Sequence, residues 1–152
     1  MWDDTITIFN RYNTAAGDIY YYPTTITGVA LYVDKAAAQT TTGLSDADSA
    51  KANFPISISS DGSMSVPGAS DKPWLQPKQW EALLNDELAE YVTADEGNDI
   101  MMRGAWDKGV VDSSEYSRGG FLDYLRGKYD DVFLINSVGI YKLIPHVEIS
   151  GK

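Results

Sequence analysis

The last third of the chain constrains the fold most. A short amphipathic segment around Phe121-Leu-Asp-Tyr-Leu125 runs into the apolar stretch Asp131-Val-Phe-Leu-Ile-Asn-Ser-Val138, and Ile144-Pro-His-Val-Glu-Ile-Ser-Gly-Lys152 follows. The layout reads as a helix, a strand over Val132–Val138, a tight turn at Gly139 and a closing strand over Tyr141–Ile149. The opening of the chain has the same character. Thr5-Ile-Thr-Ile-Phe-Asn-Arg-Tyr12 alternates polar with apolar residues and is rich in β-branched and aromatic types, which is a strand by period and by propensity.

Between these ends the pattern changes several times. Asn13 to Gly17 supplies a turn, and Asp18 to Asp34 is one long strand or two. Pro23 cannot donate to a ladder, and Gly28 suggests a bulge. Ala36 to Ala52 is built from small and polar residues without an apolar period, and reads as a long exposed loop. Asn53-Phe-Pro-Ile-Ser-Ile-Ser59 returns to alternation, with Pro55 favouring an edge. Ser60-Asp-Gly-Ser63 is a turn and Val66 to Pro73 a second loop. From Pro77 the period lengthens: Trp80, Leu83, Leu84, Leu88 and Tyr91 fall at helical spacing, with Asn85-Asp86 as an interruption. Ile100 to Arg103 is a short strand ended by Gly104. Ser113 or Ser114 caps a short helix through Leu125, weakened by Gly119-Gly120.

This pattern predicts a mainly β (α+β) fold: a small antiparallel β-barrel or sandwich with one or two short helices inserted before the last strands. The first and last strands are expected to pair. One domain spans residues 1–152, with an exposed loop over 36–52 and a helix-containing insertion over 74–126.

Chemistry is hard to find. The chain has no cysteine and one histidine, His146, in a predicted strand, so thiolate zinc sites, cysteine nucleophiles and disulfides are excluded. No Gly-x-Ser-x-Gly elbow, phosphate-cradling glycine loop or spaced calcium loop is present. We therefore expect no catalytic residue, no cofactor, no metal and no enzymatic activity. Met1-Trp-Asp-Asp4 lacks the basic and apolar regions of a secretory signal, and no apolar run approaches the length of a membrane helix, so a cytosolic product is expected.

Net charge is −10, and the Lys and Arg residues are spread thinly, which argues against binding DNA through phosphate neutralisation. The acids Glu81, Asp86, Glu87, Glu90, Asp95, Glu96 and Asp99 follow one another with no Lys or Arg among them. They form either a solvated face or a surface that repels DNA or meets a basic partner. Tyr20-Tyr-Tyr22 is the densest aromatic cluster, and alternation puts Tyr21 opposite its neighbours. Tyr21 and Trp74 are candidate contact residues, by the preference of interfaces for Tyr and Trp. Core packing is the other reading, and a carbohydrate-binding β-sandwich with Tyr20–Tyr22 and the tryptophans as its platform is the alternative function of another class.

Four segments together resemble the small head–tail joining proteins of long-tailed bacteriophages. They are Asp4 to Tyr12; Tyr91-Val-Thr93 with Gly97-Asn-Asp-Ile-Met-Met-Arg-Gly104; the helix and strand over Leu122 to Ser137; and the ending His146 to Lys152. The resemblance implies a stopper or minor capsid protein, a non-enzymatic β-barrel that assembles with itself in a ring of sixfold or twelvefold symmetry. Its partners would be the portal or adaptor proteins and the tail terminator or tail tube, with packaged double-stranded DNA passing close by and no membrane. Its place would be the virion neck, after assembly in the host bacterial cytoplasm, and a tail terminator or adaptor is the nearest rival role. Gln39, Thr40, Thr41, Thr42, Gly43, Leu44 and Ser45 are the candidate assembly or channel loop, too polar to pack yet long enough to reach a neighbour.

Overall fold

The computed structural model describes residues 3–34, 49–116 and 119–152. In chain order the elements are β1 (Asp4–Asn13), β2 (Ile19–Asp34), β3 (Ser49–Pro55), β4 (Ser57–Ile58), β5 (Met64–Val66), β6 (Lys72–Trp74), α1 (Pro77–Glu81), β7 (Ile100–Arg103), β8 (Val111–Asp112), α2 (Gly120–Lys128), β9 (Val132–Tyr141) and β10 (His146–Gly151). Turns of 3-10 helix cover Pro67–Ala69, Asn85–Glu90 and Ser113–Glu115.

The main sheet runs β1-β7-β9-β10-β3-β2, and β2 also pairs with β1, so the ladders close into an antiparallel barrel with β8 as an outlying strand. A mainly β, antiparallel fold with few short helices is what the sequence predicts, and of its two alternatives, barrel and sandwich, the ladders form the barrel. The expected pairing of first and last strands does not occur: β1 lies between β2 and β7, and β10 between β9 and β3. The long β2 makes closure possible, because its first half pairs with β1 and its last residues, Ala30–Asp34, pair with β3. The switch happens at Gly28, which has φ +70° where the register slips between Asp4↔Val29 and Ile6↔Ile26. That is the bulge which bends a strand around a barrel corner. Pro23 is tolerated because, among the described residues, β8 and β3 leave the outer side of β2 without a strand partner there.

Two apolar cores lie on opposite faces of the same strands. Ile6, Ile8, Ile26, Phe54, Ile135, Val147 and Ile149 fill the barrel with Trp74 and Val92. Phe9, Tyr21, Ile100, Met102 and Val132 point outward, where Trp106, Phe121 and Leu125 cover them. β1 therefore buries both faces. Its alternation ends at Ile8-Phe9 because each of these residues enters a different core.

Several expected boundaries move. Residues 49–52, read as loop, form the start of β3, where buried Ala50 lies between Val33 and Gly151 and buried Ala52 between Leu31 and Ile149. The helical stretch after Pro77 is cut short: α1 stops at Glu81 and a 3-10 turn covers Asn85–Glu90. Trp80 Nε1 donates to the Leu88 carbonyl at 3.1 Å, which ties the two pieces together. Ser113 does not open a long helix. Asp112 caps a single 3-10 turn through the Ser114 N–H, and α2 begins at Gly120. Val66 to Pro73 is a small hairpin of β5 and β6 around a 3-10 turn. Gly139 is not the final turn, since it pairs with Glu148 inside the β9–β10 ladder and the reversal falls on Lys142–Pro145.

Candidate interaction surface

The candidate loop residues Gln39, Thr40, Thr41, Thr42, Gly43, Leu44 and Ser45 lie outside the described residues. The two aromatic candidates are corrected by their burial. Tyr21 is 7% exposed, with its ring 5.2 Å from that of Phe121, and burial raises its pKa. Trp74 is 3% exposed and packs 6.1 Å from Phe54 inside the barrel. The outward face of β2 is covered by α2 and Trp106, so alternation brings Tyr21 to a second core and not to water. Trp80 and Trp106 are buried as well, so none of the described tryptophans presents an open face.

Leu84, Tyr32 and Val110 are exposed singly, and three other exposed apolar residues gather in one place. Leu143 is 97% exposed, Ile144 75% and Tyr141 48%, all at the turn between β9 and β10. A fully exposed Leu beside a largely exposed Ile gains nothing for the monomer, and contiguous patches of this kind mark interaction sites. Below the tip a groove of about 540 Å³ is lined by Gly28, Asn53, Pro55, Ile144, Pro145 and His146. Asn53 Oδ1 is shut off from solvent with no hydrogen-bond partner among the described residues.

The turn is built to hold its shape. The His146 ring stacks on Tyr141 with centroids 4.9 Å apart. Its Nε2 lies 3.0 Å from Glu148 Oε2 and its Nδ1 2.7 Å from the Ile144 carbonyl oxygen. Both partners only accept, so the arrangement is complete when both ring nitrogens carry a proton. The Glu148 carboxylate, and after it the Ile144 carbonyl, raise the pKa of His146. Pro145 adds its carbonyl to the lock by accepting from the Ile56 N–H at 3.3 Å. The tip is thus a preorganised projection.

The acidic run forms a second surface, from which one member departs. Asp99 is buried and binds the strands together: its carboxylate accepts from Asn10 Nδ2, the Arg11 N–H and the Asp95 N–H, each at 2.8 Å. Asn10 in turn donates to the Thr93 carbonyl at 2.6 Å and accepts from the Thr93 N–H. Burial pushes the Asp99 carboxyl up to about 7, against the pull of its three donors. Glu81, Asp86, Glu90 and Glu96 are exposed and Glu87 is half-buried, and no Lys or Arg among the described residues stands within ion-pair distance of them. Glu96 Oε2 accepts from the Val138 N–H at 3.0 Å, and Glu87 from the Leu84 N–H. Among the described residues no group of three or more His, Asp or Glu side chains is arranged to hold a metal ion, and no helix is long and apolar enough to cross a membrane.

Sequence reasoning missed Leu143 and Ile144 because apolar residues before Pro145 read as strand. The available signal was Pro145 itself, which cannot donate within a ladder. Comparison with known proteins adds a family and no function. Neither a curated protein nor a solved structure matches the chain. One family pattern matches all of residues 1–152, and on that match the chain belongs to the family of unknown function DUF6751.

Proposed function

We propose that this chain is a non-enzymatic structural protein of the phage virion neck, a stopper that forms a ring, closes the DNA channel and joins the tail to the head. The observation that carries the reading is the preorganised apolar tip: Leu143 and Ile144 stand in water at the end of a rigid antiparallel ladder, as an assembly contact would before its partner arrives. The barrel architecture and the four head–tail-like segments support the same reading. The acidic character of the chain suits a component that DNA passes without sticking, because each phosphate contact would add salt-dependent affinity.

In this reading the chain assembles in the bacterial cytoplasm as a sixfold or twelvefold ring between portal or adaptor and tail. A tail terminator or an adaptor of the same neck is the neighbouring assignment, and it is distinguished by copurification with free tails or with portal. The test is electron microscopy of particles made when the gene is disrupted in its phage. Emptied heads beside complete free tails are expected; normal infectious virions would overturn the assignment.

A further inference from the structure

The barrel is closed along the first half of β9 and open along the second. β7 pairs with β9 only from Val132 to Leu134, whereas β10 follows β9 as far as Tyr141. In an antiparallel ladder the N–H and C=O of one residue point to the same neighbouring strand. The Val138 N–H reaches Glu96, away from β10, so the backbone of Val138 and, two residues on, that of Ile140 face the open side. Among the described residues no strand pairs with them there. Exposed edges of this kind are templates for another strand, and natural proteins guard them with charged side chains. Glu96 occupies the guard position.

The space beside this edge has the form of a strand site. A groove of about 310 Å³ runs between β9 and the segment after Val92, with Val138, Ile140, Ala94 and Pro77 as its apolar walls and Asp95 and Glu96 as its acidic ones. Arg11 is the one cation lining the neighbouring polar pocket, which Glu81 and Asp95 also line, and no cation lines the groove itself. An incoming strand paired with Ile140 alternates its side chains. One set faces Val138 and Ile140; the other set leaves toward a rim that carries negative charge.

We propose that the free edge of β9 at Val138–Ile140 accepts an extended segment of a partner protein by strand addition, and that this segment alternates apolar residues with Lys or Arg. The backbone supplies affinity, Val138 and Ile140 the apolar contacts, and Glu96 and Asp95 the selection for basic residues. On binding, Glu96 releases the Val138 N–H to the incoming strand and turns to its cation. This inference is independent of the neck assignment.

The experiment is a titration of the nitrogen-15-labelled full chain with the capped peptide Val-Lys-Val-Lys-Val-Lys-Val. Two control peptides are used, one with Glu in place of Lys and one N-methylated at alternate residues. Amide shifts and slowed hydrogen exchange centred on Val138 and Ile140 are expected, with both controls weaker by about tenfold or more. Glu96→Lys, at an exposed site, is expected to weaken the Val/Lys peptide by a similar factor. Ile140→Pro removes the edge N–H and abolishes binding; if that variant does not fold, the N-methylated peptide makes the same test. No shift at millimolar peptide, shifts confined to Leu143 and Ile144, or equal binding of the Glu peptide would overturn the proposal. Concentration-dependent shifts of the same amides without peptide would assign the edge to a second copy of this chain and overturn the proposed occupant.

Discussion

Phe9, Tyr21 and Phe121 on one side of the barrel and Tyr141, Leu143 and Ile144 at its hairpin tip are similar residues in opposite circumstances. The first three share a core with Trp106, with the Phe121 ring centroid 5.1 to 5.5 Å from those of Phe9, Tyr21 and Trp106. The other three face water to between 48 and 97%. What separates the two groups is pairing. The outward faces of β1, β2, β7 and the first half of β9 lie side by side and support a helix, whereas among the described residues β9 beyond Ile135 keeps only β10 as a strand neighbour. Aromatic and aliphatic content alone does not distinguish these two groups; the cover of a helix and of neighbouring strands does.

The largest effect that tests this contrast is expected at Phe121. Phe121→Ala removes a ring that meets Phe9, Tyr21, Trp106, Tyr116 and Tyr124, and is expected to cost about 3–5 kcal/mol in urea unfolding, with the slope unchanged. A loss below about 1 kcal/mol, the range of ordinary surface changes, would mean that the layer under α2 is not a second core.

Asp99 comes next, because it joins β1 to the segment that leads into β7. Asp99→Ala strands the Asn10, Arg11 and Asp95 donors and is expected to cost about 3 kcal/mol. The sign of its pH dependence follows from a folded pKa near 7 against the ordinary 3.8. The folded chain keeps the proton over a window in which the unfolded chain has released it, so stability falls as pH rises from about 4 to about 7 and levels off above. Asp99→Asn is expected to flatten this slope. A stability that instead rises across the window would show that the three donors hold the carboxylate ionised in spite of its burial.

How much of this was legible in the sequence depends on which force decided each element. β1 and the early part of β9 were readable because β-branched alternation and propensity agree there. β3 was partly hidden, because Ala50 and Ala52 have low strand propensity. Their smallness is what fits them between β2 and β10, a tertiary fact. The pairing of β1 with β2 and β7 in place of β10 depends on the bend at Gly28, which the sequence signals as a bulge without saying which strands it brings together. Tyr21 and Trp74 were sensible contact candidates by residue type. Their burial was invisible because the elements that cover them come from distant parts of the chain: Phe121 from α2, and Val92 and Phe54 from inside the barrel. The tip was misread for the converse reason, as Leu143-Ile144 resembles strand in any local window.

At the tip a smaller effect is expected. With its pKa raised by Glu148 and the Ile144 carbonyl, His146 contributes stability that is fully present below the unfolded value of 6.5 and is lost as pH rises through the folded value. As the only histidine, its ring signals can be followed directly by NMR, and a midpoint above 6.5 that falls on Glu148→Gln is expected. A midpoint at or below 6.5 would mean that the ring is not held by its two acceptors. His146 slopes stability in the same direction as Asp99, so His146→Gln in the Asp99→Asn background separates the two contributions.

The smallest effect on stability and the largest on assembly are expected from one variant. Leu143 and Ile144 lie almost wholly outside both cores, and replacing both with Ser should change urea stability by no more than about 0.5 kcal/mol. If the tip is an assembly contact, the same double variant should fail to complement a gene disruption although it is folded and soluble, because a preorganised apolar anchor is the kind of residue that dominates binding energy. The Phe121→Ala variant makes the complementary case, since it loses stability while keeping the tip intact. A double-Ser variant that complements fully would separate exposure from function at the tip and leave the β9 edge as the surface to pursue. A double-Ser variant that unfolds would place Leu143 and Ile144 inside the fold's own stabilising contacts, and the contrast between the two regions would then have to be drawn elsewhere.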